Sequence, residues 1–120
     1  MAYEIITTPN FERDIEFYYK KRKYKHIEKD ISPVLEELEK GNLIGDEIPN
    51  ITSILNEHTY KVRVANTDTN VGKSNGYRLI YYAIRDAMTI YLLALYYKKD
   101  DNNIPTNTEI IDIINKYCVK

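Results

Sequence analysis

Residues 59–99 read TYKVRVANTDTNVGKSNGYRLIYYAIRDAMTIYLLALYYKK, and within them lie three runs rich in Tyr, Val, Ile and Leu: Tyr60–Asn66, Tyr77–Ile84 and Thr89–Tyr97. Such residues pack well on a pleated surface, so the runs predict three consecutive antiparallel strands, with Arg85–Met88 as the tight turn between the last two. In the first run Lys61 and Arg63 alternate outward against Tyr60, Val62 and Val64. The other two runs are apolar on both faces, which predicts central strands.

The same stretch is the basic part of the chain. Between Thr59 and Asp100 stand Lys61, Arg63, Lys73, Arg78, Arg85, Lys98 and Lys99 against only Asp68 and Asp86, a local balance of about +5 in a protein whose net charge is −1. Residues 1–58 carry eight basic and twelve acidic side chains. Positive charge concentrated on one structural unit points to a polyanionic partner such as nucleic acid.

Outward toward the N-terminus, Tyr3–Thr7 predicts a short strand, ended by Thr8 as a helix cap and Pro9 in the first turn. Phe11, Ile15, Tyr18 and Tyr19 then recur at helical steps. A second helix places Ile27, Ile31, Val34 or Leu35, and Leu38 on one face and ends at Gly41; Pro33 either kinks it or begins a new helix with Ser32 as cap. Asn42–Glu57 lacks periodicity and reads as a connecting loop. Beyond the strands, Thr106 and Glu109 form a capping-box pair, and Ile110, Ile111, Ile113, Ile114 and Tyr117 supply the buried face of a last helix. The predicted fold is α+β: a small antiparallel sheet of about four strands, an N-terminal helical hairpin and a C-terminal helix, in one domain spanning 1–120.

Composition narrows the functional classes. Apolar stretches such as Ile90–Tyr97 are too short to cross a bilayer, and MAYEIITTP lacks the layout of a secretion signal, so a cytoplasmic protein without membrane association is expected. Cys118 has no partner at metal-ligand spacing and is expected to be a packing residue, and no cofactor is implied. Twelve tyrosines suit a sheet with a partly exposed binding face as well as a core margin. Gly72-Lys73-Ser74 partly matches a phosphate-binding loop, but Thr67 stands where the first glycine belongs and a strand follows instead of a helix. Lys73 is left as a mobile cation beside the sheet. The run Lys20, Lys21, Arg22, Lys23, Tyr24, Lys25 reads either as a solvated helix end or as a contact to a nucleic-acid backbone. His26 and His58 lack evident catalytic partners, and Asp100-Asp101 is a weak metal signal. The strongest constellation is Lys61 and Arg63 on one strand, Arg78 on the next and Lys98 after the third, a cluster that repels itself unless an anion is bound.

The segments Tyr60-Lys61-Val62-Arg63, Gly72-Lys73-Ser74-Asn75-Gly76-Tyr77-Arg78-Leu79-Ile80-Tyr81-Tyr82 and Leu92-Leu93-Ala94-Leu95-Tyr96-Tyr97-Lys98-Lys99, in that order after a short strand and two helices, resemble the RelE/ParE superfamily of bacterial toxins, in its RelE and HigB-like branch. The resemblance implies a toxin neutralised by a cognate antitoxin, which enters the ribosome and cuts mRNA through attack of the RNA 2′-hydroxyl. It assigns phosphate binding to Arg63 and Arg78, leaving-group stabilisation to Lys98 and proton transfer to Lys61. Tyr82 or Tyr97 would stack a base, and Lys73, Lys99 and the Lys20–Lys25 run would track the RNA. The RelE pattern has Lys where this chain has Arg63, Arg where it has Lys98, and Tyr where it has Ile104. The ParE branch supplies the alternative: a non-enzymatic toxin that inhibits DNA gyrase.

Overall fold

The computed structural model describes residues 2–52 and 56–118. In chain order the elements are β1 (Glu4–Thr7), α1 (Pro9–Glu16), α2 (Ile27–Glu39), β2 (Asp46–Glu47), β3 (Glu57–Val64), β4 (Tyr77–Ile84), β5 (Thr89–Tyr97) and α3 (Asn107–Tyr117). The sheet runs β1-β5-β4-β3-β2. The β3-β4-β5 meander expected from the three apolar runs is present, and β4 and β5 have the expected bounds.

The sheet is larger and less uniform than the sequence suggests. It has five strands and is mixed, because β1 pairs with β5 in parallel. Within the segment read as a loop, Asp46 and Glu47 form a two-residue edge strand against Lys61 and Tyr60. Two adjacent acids carry no hydrophobic period, so only the pairing with β3 reveals them. Ser53 to Leu55 of that segment lie outside the described residues.

Capping chemistry sets the helix ends. The Thr8 hydroxyl accepts the Phe11 N–H at 3.2 Å, and Thr106 and Glu109 form the reciprocal capping box of α3. Helix α2 runs unbroken through Pro33 and is followed by Gly41 at φ 89°. A mid-helix proline costs about 3 kcal/mol. Here Pro33 faces outward while Ile27, Ile31, Val34 and Leu38 bury one continuous stripe, and that packing outweighs the missing hydrogen bond. After α1 the backbone widens into a π-turn, Phe17–Lys21, which seats the buried Tyr18 so that its hydroxyl accepts the Tyr97 N–H at 2.8 Å.

Two cores sandwich the sheet. Phe11, Tyr18, Ile31, Leu38, Val62, Leu79, Tyr81, Leu92 and Leu95 fill the space beneath α1 and α2. Ile80, Tyr82, Leu93, Ala94 and Tyr96 meet Ile110, Ile114 and Cys118 of the α3 side. Cys118 is thus the packing residue expected, with 8% exposure. The register of β4 against β5 passes from Ile80–Ala94 to Tyr81–Leu92, which leaves Leu93 as a bulge. Polar side chains at the start of α1 satisfy the backbone there: the Thr8 hydroxyl donates to the Leu92 carbonyl at 2.8 Å, the Asn10 amide to the Leu93 carbonyl at 2.8 Å, and Asp14 accepts the Leu95 N–H at 2.9 Å. Among the described residues, no helix is long and apolar enough to cross a membrane.

Burial raises the Asp14 carboxyl from 3.8 to about 6, against the opposing pull of the Leu95 N–H and of Arg13. The folded protein therefore binds this proton more tightly than the unfolded chain. The cost of ionising Asp14 is absent below pH 3.8 and complete above about 6. Asp14→Asn keeps an acceptor for Leu95 and removes that cost, so denaturant unfolding should show it more stable than wild type at pH 7 by on the order of 1–3 kcal/mol. The difference should vanish near pH 4; parallel pH profiles for the two proteins would refute this role.

A candidate anion-binding site at one end of the sheet

The register of β3, β4 and β5 determines which cations meet. Arg63 stands directly opposite Arg78, and Arg78 opposite Tyr96. Directly paired residues share a sheet face, here the face that carries Ile80 and Ala94 beneath α3. Lys61 lies on this face, two residues before Arg63 and opposite Ile80. Lys98 follows β5, and its backbone N–H donates to the Gly76 carbonyl at 2.9 Å. Lys61, Arg63 and Lys98 are exposed, whereas Arg78 is buried at 8% exposure.

Arg78 is held entirely by backbone oxygens. It donates to the carbonyls of Lys73 at 3.1 Å, Ser74 at 2.9 Å and Tyr77 at 3.1 Å. The Lys98 ammonium donates to the same Ser74 carbonyl at 3.0 Å. Two cationic side chains thus converge on one neutral oxygen. Burial, and then the Arg63 charge, lower the Arg78 pKa from its ordinary value. Among the described residues, none of Lys61, Arg63, Lys73, Arg78 and Lys98 forms an ion pair with a carboxylate. The acid nearest in register is Asp46 of the edge strand β2, opposite Lys61.

The connection between β3 and β4 is tightly organised. Asn66, fully buried, bridges to Val71 through bonds of 3.0 and 3.1 Å, and its side chain accepts the Thr69 N–H. Asp30 of α2 accepts from the Thr67 N–H at 3.0 Å, and Asp68 accepts from the His26 backbone N–H at 2.9 Å while meeting its ring at 2.8 Å. His26 therefore anchors this loop, and His58 meets Glu47 at 2.7 Å across β2 and β3. At the edge of the sheet, Arg63 and Lys73 border a cleft of about 300 Å³ together with Lys29 and Asp30.

Other candidates fall into different places. Tyr82 and Tyr97 are corrected as base-stacking residues: they are 0% and 6% exposed. Tyr82 donates its hydroxyl to Glu57, and Tyr97 packs edge-on against Tyr24 at 5.8 Å. Among the described residues the tyrosines of the sheet pack in or against its cores, and Tyr19, at 40% exposure, is an exposed one. Within the basic run, Arg22 is taken up by Asp100 at 3.0 Å and by the Phe17 ring. Lys20 pairs with Glu16 at 3.5 Å, Lys25 lies over the Tyr19 ring at 4.9 Å, and Lys21 and Lys23 are exposed. The Arg22–Asp100 pair brings this run beside Lys98 and Lys99. The same pair accounts for Asp100, and no group of three or more His, Cys, Asp or Glu suited to a metal occurs among the described residues.

No family model matches the sequence, and no curated protein matches it. Among solved structures the chain is similar to the E. coli toxin RelE, determined in the free state as a double arginine-to-alanine mutant, with 16% identity and a TM-score of 0.56. The match covers 95% of this chain and 99% of that one. The fold is therefore RelE-like.

The two glycines of the loop have opposite roles. A Cβ on Gly76 would stand 2.1 Å from the Val64 carbonyl oxygen and 2.9 Å from the Asn66 nitrogen, whereas one on Gly72 meets nothing within 4 Å. Gly76→Ala should destabilise the protein by about 2 kcal/mol or more, because backbone must move, and Gly72→Ala should stay within about 0.5 kcal/mol of wild type. Thermal and denaturant unfolding of the two variants checks this, and equal effects would show that the close approach of Gly76 to β3 is unimportant.

Proposed function

We propose that the protein is a toxin that cleaves messenger RNA on the ribosome and is neutralised by a cognate antitoxin. The observation that carries this reading is the Arg63–Arg78–Lys98 cluster, held together on a RelE-like fold without a pairing carboxylate among the described residues. Such a cluster costs repulsion in the free protein and is relieved by a phosphate.

In the proposed reaction the RNA 2′-oxygen forms a bond to the adjacent phosphorus while the bond from phosphorus to the 5′-oxygen breaks, leaving a 2′,3′-cyclic phosphate. One proton leaves the 2′-hydroxyl and one reaches the departing oxygen. No metal is needed if cations stabilise the charge on the phosphate oxygens. Arg63, exposed and planar, is assigned the bidentate phosphate contact. Lys98 exchanges the Ser74 carbonyl for the leaving oxygen, to which it can give a proton. Arg78 contributes positive potential from beneath and holds the loop bearing Lys73, since its terminal nitrogens already serve backbone oxygens. Lys61, beside Asp46, is assigned to proton transfer at the 2′-hydroxyl. Lys73, Lys99, Lys21 and Lys23 are the exposed cations suited to following the RNA backbone.

Cleavage of a labelled messenger RNA, with and without programmed ribosomes, tests this reading. Arg63→Ala and Lys98→Ala should each slow ribosome-dependent cleavage by about 10²-fold, as expected for loss of a charge-stabilising donor, with unchanged unfolding curves. Wild-type cleavage rates in both variants would remove the cluster from the mechanism. Growth arrest without any cleavage would transfer the reading to a protein target such as DNA gyrase.

A further inference from the structure

A cavity of about 220 Å³ opens where α1, strand β5 and the start of α3 meet. Its polar lining is Asn10, Asp14, Asn102, Asn103 and Glu109, and no lysine, arginine or histidine takes part among the described residues. The walls between them are apolar: Ala94, Ile104, Pro105 and Ile113. Ile104 is 45% exposed, so its side chain is accessible to a ligand.

Four of these polar side chains are tied to the fold by one atom each. The Asn10 amide nitrogen donates to the Leu93 carbonyl at 2.8 Å, and one Asp14 oxygen accepts the Leu95 N–H at 2.9 Å. The Asn103 amide nitrogen donates to the Tyr18 hydroxyl at 3.4 Å, and one Glu109 oxygen accepts the Thr106 N–H at 3.0 Å. Each residue thereby keeps one further oxygen that accepts no hydrogen bond among the described residues, and all four of those atoms are acceptors. Asp14 and Glu109 form no ion pair among the described residues. The burial that raises the Asp14 carboxyl to about 6 is a cost that a cation in the cavity offsets.

We infer that this cavity binds a primary ammonium group on a short alkyl chain, with the ammonium among the oxygens of Asn10, Asp14, Asn103 and Glu109 and the chain along Ile104, Pro105 and Ile113. An ammonium carries three donors and no acceptor, the complement of this lining. An alkyl stem lies readily on apolar side chains while its charged head stays among polar atoms. At about 30 Å³ for a water-sized group, the cavity has room for roughly seven such groups, enough for a four-carbon diamine. A phosphate or carboxylate meets two acids here and no cation. A hard divalent metal takes about six or more oxygens, and no group of three or more His, Cys, Asp or Glu suited to one occurs among the described residues. The cavity shares no residue with the Arg63–Arg78–Lys98 cluster, so the inference stands apart from the RNA chemistry proposed above.

The probe is putrescine, a four-carbon diamine, titrated into the full chain at constant ionic strength and followed by calorimetry and by NMR of the asparagine side-chain amides. Butanediol, equal in length and uncharged, and the amide of Nα-acetyl-lysine, which presents the ammonium as a protein side chain does, are the comparison ligands. Putrescine should bind and shift the Asn10 and Asn103 amide signals, and the diol should bind about tenfold more weakly or less, as expected when a charge-assisted hydrogen bond is lost. Asp14→Asn should weaken putrescine by a similar factor, and Ile104→Ser by about fourfold, the worth of roughly one buried methylene. Glu36→Gln on α2, an acid outside the cavity, should leave binding unchanged. Binding of the lysine amide as tight as that of putrescine supports the site with a protein lysine as its source; binding of putrescine alone supports it with a free amine. If Asp14→Asn alters the fold by circular dichroism, Ile104→Ser, at an exposed position, decides. No binding of putrescine at millimolar concentration, equal binding of the diol, or binding indifferent to both Asp14→Asn and Ile104→Ser would each overturn the inference.

Discussion

The bulge at Leu93, and its satisfaction by polar side chains of α1 and its cap, is the constraint on which the rest of this structure depends. A regular strand alternates its faces, so Leu92 and Leu95 would point to opposite sides. With one residue unopposed between Ala94 and Leu92, both enter the core under α1 and α2, while Leu93 and Ala94 enter the core under α3. Backbone groups loosened at a bulge must find partners elsewhere. Thr8, Asn10 and Asp14 supply them, and in doing so fix α1 on β5 and β1 beside it. A buried carboxylate in that role is held at the expense of its own ionisation, as the raised Asp14 pKa shows.

The site follows from the same sheet by register alone. Opposing Arg63 to Arg78 is unfavourable for like charges directly across a strand pair. The structure tolerates it by burying Arg78 against the carbonyls of Lys73, Ser74 and Tyr77, so that the charge is solvated by backbone dipoles. That solution requires the loop to double back on β3, and Gly76 is the point where no side chain can pass between them. The cations and the loop that carries Lys73 are thus one unit.

Much of this could be read from the residue pattern. The runs at Tyr77–Ile84 and Thr89–Tyr97, the Thr8 and Thr106 caps and the Gly41 stop are local signals, and local signals survive into the fold. What escaped was nonlocal. Asp46 and Glu47 become a strand only because Lys61 and Tyr60 lie beside them, and β1 finds its parallel partner 85 residues away at Thr89–Leu92. The tyrosines misled because an amphipathic ring fits a rim or a core equally well, and hydrogen-bond partners such as Glu57 for Tyr82 decide the matter through contacts distant in sequence. Arg22 belongs by sequence to a cationic run, yet Asp100, 78 residues along the chain, pairs with it.

A net charge of −1 conceals how strongly the molecule is polarised. Glu12, Glu28, Glu36 and Glu39 of α1 and α2 line a groove beside β1, while Lys61, Arg63 and Lys98 are exposed at one end of the sheet. Exposed charges are screened over about 8–10 Å in physiological salt, so the two fields act on their surroundings separately rather than cancelling. Selection for solubility alone would favour mixed signs. A cluster of cations held at one end of the sheet therefore keeps its own positive field in a chain whose net charge is −1, and it is that local field which a charged ligand meets.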